Sequence, residues 1–231
     1  MKNLSLSLLV MMIMLLISSC TKFGTSSSVD VLADVYVRSF LHNGAMSYNV
    51  VHSVSSSLGI TATIVDVPGG TSFTLSDYNG DGSYFYKDTS MVAGFNPTPP
   101  PTGAYTYHVY FKSGDHKDYT NTLSSEILVP PVIDSLYKKP YGTIYQSLRL
   151  RWKPVVGAQY YQIRITSGQN EIQPWGLNFT DQSDLVYERM INDFSRYLPG
   201  TITFEIRAIK YETSDNQYVQ AVSQNSISID L

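Results

Sequence analysis

Alternation with period two governs this chain. Val31, Ala33, Val35 and Val37 alternate with Leu32, Asp34, Tyr36 and Arg38. Ile60, Ala62 and Ile64 alternate with Thr61 and Thr63, and Tyr105, Tyr107, Val109 and Phe111 with Thr106, His108, Tyr110 and Lys112. Successive side chains of a strand point to opposite faces, so such runs make half-buried strands and leave no apolar stripe for a helix. Turn formers separate them: Pro68-Gly69-Gly70, Asn79-Gly80-Asp81-Gly82 and Ser113-Gly114-Asp115. No long helical period follows Cys20. The pattern predicts an all-β chain of short strands and tight turns, as in a sandwich or barrel. There is one cysteine among 231 residues, so no intramolecular disulfide is available and apolar burial must hold the fold.

The N-terminus reads differently. After Met1, Lys2 and Asn3, residues Leu8 to Ile17 are uninterruptedly apolar. A bilayer-spanning helix needs roughly 20 such residues, so this run has the length of a secretory signal. Ile17-Ser18-Ser19-Cys20 resembles the lipobox of bacterial lipoproteins, with isoleucine where leucine is commoner. The resemblance implies a signal peptide over 1–19, a lipid anchor in the membrane at Cys20, and a small, polar tether over 20–28. Two or more acyl chains anchor a protein stably where one does so only marginally. Thr21 follows the cysteine where inner-membrane lipoproteins often carry Asp, which favours the outer membrane and leaves the periplasmic or surface face open.

Consecutive prolines remove backbone donors, so Val129-Pro130-Pro131 cannot continue a central strand, and we place a domain boundary there. This gives modules over 29–129 and 130–231. A second proline cluster, Asn96 to Gly103, runs straight into a strand and reads as a loop within the first module.

Leu150-Arg151-Trp152-Lys153-Pro154, Gly157 to Ile165, and Leu198-Pro199-Gly200-Thr201 leading into Phe204 to Ala208 resemble a bacterial fibronectin type III domain. The resemblance makes Trp152 the core pivot and packs Tyr161 against it. It puts Ile202 where that family has a corner tyrosine, whose hydrogen bond should then be missing. Gly103 to Val109 echoes Gly200 to Ile206, with Tyr105 at the corner position, which supports an immunoglobulin-like first module. The expected fold is two tandem immunoglobulin-like or fibronectin type III-like β-sandwiches behind a lipoprotein signal, similar to small lipoproteins of Bacteroides-type bacteria.

Sixteen basic against nineteen acidic residues, a formal net charge of -3, leave no excess to neutralise phosphates, and no nucleic-acid partner is expected. HExxH, GxSxG and the phosphate-binding glycine loop are absent, and the chain is expected not to be an enzyme. His42, His52, His108 and His116 show no ligand spacing on one element. His108 points outward on its strand, as a solvated or cross-strand partner, and His116 sits in a polar hairpin loop.

Asp77, Asn79, Asp81, Gly82 and Asp88 occupy positions one, three, five, six and twelve of a calcium-type loop. Against calcium stand the short closing aspartate and the strand-like flanks; the alternative is a hairpin turn, for which Asn-Gly and Asp-Gly are preferred. Trp175, in Gln173-Pro174-Trp175-Gly176, reads as a turn residue that either stacks on a ligand or folds over a sheet edge with Leu177 and Phe179. The expected function is a non-enzymatic, lipid-anchored envelope protein that presents a binding or structural surface. Its partner is either a glycan, as in an accessory protein of polysaccharide uptake, or an envelope protein, as in an adhesive, fimbrial or secretion-system component.

Overall fold

The alternation becomes strands as expected in β1 (Val31–His42), where Val31, Ala33, Val35 and Val37 are buried in a core and Tyr36 and Arg38 face the other way. The computed structural model describes residues 31–42, 44–88, 96–141, 145–179, 185–213 and 217–231; the signal segment 1–19, Cys20 and the tether lie outside the described residues. The other strands are β2 (Ala45–Ser56), β3 (Ile60–Asp66), β4 (Ser72–Thr74), β5 (Ser76–Asp77), β6 (Tyr84–Asp88), β7 (Gly103–Phe111), β8 (His116–Leu123), β9 (Ile133–Tyr141), β10 (Tyr145–Trp152), β11 (Tyr160–Ser167), β12 (Asn170–Phe179), β13 (Val186–Met190), β14 (Thr201–Tyr211) and β15 (Val219–Asp230), with a short 3-10 helix at Ile191–Tyr197. The chain is an all-β sandwich. Among the described residues no helix is long and apolar enough to cross a membrane.

One sheet has eight strands in the order β12-β11-β14-β15-β1-β2-β6-β5. A four-stranded sheet, β4-β3-β7-β8, packs on its β1, β2 and β6 end, and a three-stranded sheet, β13-β10-β9, packs on its β11, β14 and β15 end. Both cover the same face, because Val37 of the first core pairs directly with Ala221 of the second. That pairing belongs to a parallel ladder, Val37 to Phe40 with Ala221 to Gln224, which joins the first strand to the last.

Two cores result, and they divide between Ile127 and Leu128. The segments read from the sequence as modules 29–129 and 130–231 have separate cores and share one sheet, and Val31–Leu231 forms one compact unit. The connecting segment is tied to that sheet. Ser39 donates its hydroxyl to the Leu128 carbonyl, and the Asn225 amide donates to Pro131 O at 2.8 Å.

In the second core Trp152 is buried with its ring 6.0 Å from that of Tyr161, and the Tyr161 hydroxyl accepts the Val155 amide at 2.6 Å. Ile202 is fully buried in this core. Two expectations for the first module need correction. On β3 the buried residues are Ile60, Thr63 and Val65 rather than Ile60, Ala62 and Ile64. The register against β7 slips between Ile60 and Ala62, and an irregularity there exchanges the two faces of everything after it. The tyrosine that pins one sheet to the other is Tyr107, not Tyr105. Its hydroxyl donates to the Asp34 carbonyl at 2.9 Å.

Because the only hydroxyl proton of Tyr107 goes to Asp34 O, the contact of His52 Nδ1 with the Tyr107 hydroxyl oxygen at 3.0 Å makes Nδ1 the donor. Phe73 and Tyr105 pack around the imidazole. Burial, with Lys87 nearby, pushes His52 down to about 3, so the ring stays neutral. Asp34 is also buried, its carboxyl accepting Val219 N at 2.9 Å and Asn121 Nδ2 at 3.3 Å, and burial pushes it up to about 7.

The two groups act in opposite directions. His52 binds more protons unfolded between pH 3 and 6.5, so its contribution rises with pH. Asp34 binds more protons folded between pH 3.8 and about 7, so its contribution falls with pH. Asp34→Asn removes only the falling part. Its stability should therefore gain on the parent between pH 4 and 7, by about 1 kcal/mol per pH unit, read from paired thermal melts. A salt-bridged aspartate would give the opposite slope.

Candidate functional site

The two small sheets cover one face of the eight-stranded sheet and leave the other open. On that open face the outward residues of β1, Tyr36 and Arg38, lie near Tyr84, Tyr86 and Asp88 of β6. From the second half come Arg164 of β11, Glu171 and Trp175 of β12, and Arg207 of β14. With Tyr78 they line a depression of about 450 Å³ that straddles the β1–β15 seam.

Strand geometry explains the aromatic part. Tyr84 and Tyr86 are two residues apart on one strand, hence on one face, and their rings stack with centroids 5.9 Å apart. Tyr78, a largely exposed ring, meets both edge-on at 5.9 and 5.7 Å. Burial pushes Tyr86 up to about 12 and Tyr36 higher still, so both phenols remain protonated and can donate.

The Asp77 loop holds Tyr78 in place. Asp77 accepts the Gly80 amide through Oδ1 and the Gly82 amide through Oδ2, each at 2.9 Å, and the Tyr78 amide donates to Tyr84 O at 2.9 Å. The Ser83 hydroxyl, together with the Ser83 amide that Asp81 accepts at 2.7 Å, holds the Asp81 carboxyl below the usual range. Asn79 donates to the Ser83 hydroxyl. Asp88 lies apart, on β6, where it binds Arg38 Nη2 at 2.6 Å. The structure thus uses the four predicted calcium ligands in local turn contacts and one ion pair, and does not bring Asp77, Asp81 and Asp88 together as one cluster. The glycine at the sixth position has its own reason. Gly82 has φ +81°, and a Cβ there would lie 2.5 Å from the Ile60 carbonyl.

Trp175 lies within β12 rather than in a turn. Pro174 is tolerated because β12 is an edge strand. Ile163 pairs with Gly176 and Ile165 with Gln173, so Pro174 and Trp175 together oppose the single residue Arg164. This bulge frees the indole from strict alternation and aims it at the open face. The side chains of Leu177 and Phe179 lie outside the described residues. The Arg207 guanidinium stacks on the indole, 3.8 Å from its centroid.

The charges are cross-linked. Arg207 Nε donates to Gln224, whose amide donates to Glu205. Arg164 joins Glu205 at 3.2 Å to Glu171 at 2.9 Å. Burial pulls the Arg207 guanidinium down, yet an arginine keeps its charge. The face therefore offers rings, phenolic donors and forked guanidinium donors in fixed positions, with both lining carboxylates already neutralised by arginines.

Sequence reasoning found Trp175 and missed its companions. The available signal was the outward phase of the strands, Tyr36 with Arg38 and Tyr84 with Tyr86, but strand tyrosines are common for packing reasons alone. It also missed that the β7–β8 hairpin brings His108 and His116 together with Asp118.

No protein-family model matches the sequence, and no curated protein matches it. Among solved structures, the FN1–FN3 domains of chicken CNTN1 align over 86% of this chain and 66% of theirs, at 11% identity and a TM-score of 0.33. A β-1,2-glucanase from Parabacteroides distasonis aligns over 87% of this chain and 36% of its own, at 11% identity and a TM-score of 0.30. The chain spans about a third of the glucanase's length.

If Asp77 serves to close its loop, Asp77→Ala should cost about 1 kcal/mol, lowering the melting temperature by about 2–4 °C, equally in calcium and in EDTA. A calcium-dependent rise in the parent that is lost in Asp77→Ala would instead assign an ion to the loop.

Proposed function

We propose that this chain is a non-enzymatic, lipid-anchored binding protein of the bacterial outer membrane that holds a saccharide in the depression on the open sheet face. The observation that carries this reading is the convergence of Trp175, Tyr36, Tyr84 and Tyr86 with Arg38, Arg164 and Arg207 in one open depression. Sugar rings present apolar C–H faces that stack on aromatic rings and hydroxyls that pair with planar guanidinium and carboxylate groups. The walls are strands, so little side-chain freedom is lost on binding. Asp88 and Glu171 are each paired with an arginine, which suits them to accept hydroxyl protons in hydrogen bonds rather than to shuttle protons.

The test uses residues 21–231, which contain the whole compact unit, on a glycan panel. A glycan should be retained, and Trp175→Ala should weaken its binding about tenfold or more, the loss of one buried aromatic contact of about 1.5 kcal/mol, with an unchanged melting temperature. Retention of an envelope protein and of no glycan would favour the adhesive or structural reading. For the anchor, Cys20→Ser in the full chain should move the protein from the membrane pellet to the soluble fraction, and unchanged pelleting would count against lipidation.

A further inference from the structure

On the outer face of the four-stranded sheet, away from the depression, two histidines and a carboxylate converge. His108 Nδ1 lies 2.8 Å from Asp118 Oδ1, and His116 Nε2 lies 3.1 Å from the same oxygen. One ligand atom from each residue fits within 4.8 Å of the other two. We propose that His108, His116 and Asp118 form a binding site for a zinc-type divalent cation.

Three observations support it. First, the scaffold is rigid: His108 pairs directly with Asp118 across the β7–β8 ladder, and Tyr110 with His116, so backbone hydrogen bonds set the spacing of all three ligands. The Tyr110 ring stacks on the His116 imidazole at 5.3 Å and holds its orientation. Second, the outer support is present. On its other side His108 Nε2 meets Asp66 Oδ2 at 3.0 Å, and Asp66 Oδ1 accepts the Ser72 hydroxyl at 2.6 Å. A metal-ligating histidine characteristically donates its second ring N–H to a carboxylate, which fixes the tautomer and strengthens the ligand. Here that partner stands on a neighbouring strand, is itself oriented, and directs Nδ1 toward Asp118 and His116. Third, the charges match. The carboxylates of Asp118 and Asp66 balance a divalent cation held by two neutral imidazoles, and the mixed nitrogen and oxygen donors suit zinc better than calcium or magnesium.

Without a metal, both His108 nitrogens face carboxylates, and these hydrogen bonds raise its affinity for a proton. The cation takes the place of the proton on Nδ1, which is released to solvent on binding. Ligand atoms about 2.0–2.2 Å from a tetrahedral zinc lie about 3.3–3.6 Å apart, so the contacts to Asp118 open by a few tenths of an ångström. Asp118 and His116 are both about half exposed, which allows that movement and leaves a fourth position open to water.

The test is equilibrium dialysis of residues 21–231 against zinc chloride at neutral pH, with cobalt absorption as a report of tetrahedral coordination. The fragment omits Cys20, whose free thiol would itself bind zinc. One zinc per chain should bind at micromolar concentration, and His116→Ala and Asp118→Ala should each abolish it. Asp66→Asn, which keeps all three ligands, should weaken it about 10–100-fold. Melting temperatures in EDTA check that each variant is folded. Absence of binding at millimolar zinc, or stoichiometric binding that survives either alanine variant, overturns the proposal.

Discussion

The parallel ladder between β1 and β15 is the contact on which the rest of the architecture depends. It joins the start of the described chain to its end, and through it four strands of one half and four of the other become parts of a single surface. Its two ends are secured by side chains as well as by backbone. At one end the buried Asp34 carboxylate receives the Val219 amide as β15 begins. At the other, Ser39 sits on the core face and reaches the Leu128 carbonyl, fixing the connecting segment where the cores divide. A contact between residues so far apart in sequence carries a closure cost, although that cost grows only slowly with loop length.

That seam also makes the candidate site. Neither half by itself contributes both the tyrosine cluster of β6 and the Arg207–Trp175 stack; they meet because β14 follows β15, and β2 and β6 follow β1, in one sheet. The linked acids and arginines between them satisfy one another in advance. A ligand bound there would meet oriented donors and acceptors, the cost of ordering them having already been met by the fold.

Legibility in the sequence follows the range of each interaction. β1 and β7 were readable because alternation is a local property and their inward residues, Val31 to Val37 and Tyr105 to Phe111, are unbroken. Alternation alone gives β3 the wrong phase because an irregularity between Ile60 and Ala62 leaves no mark in composition. Trp175 has the local signature of a turn residue because proline and glycine flank it, and an edge strand with a bulge accommodates both. Tyr105 and Tyr107 could not be told apart, since the deciding feature is the Asp34 carbonyl, 73 residues away in the chain. The depression was invisible for the same reason. Its residues are the outward phase of strands whose adjacency is set by the seam.

The two faces of the first sandwich differ in what they present, and β7 ties them together. Tyr107 points inward from β7 to the Asp34 carbonyl of β1, two residues before Tyr36 on the open face, while the next residue, His108, points out to Asp66 and Asp118. The depression and the His108 cluster thus stand on two different sheets of one sandwich, about 10 Å apart, which Tyr107 links by a hydrogen bond. Coupling between two sites requires an element with two discrete arrangements that both sites bias. Paired strands locked by a buried tyrosine, a neutral histidine and a packed aromatic core offer one arrangement. Occupation of either face is therefore expected to leave the geometry of the other unchanged, and the shared framework serves to hold both sets of side chains rather than to carry a signal between them.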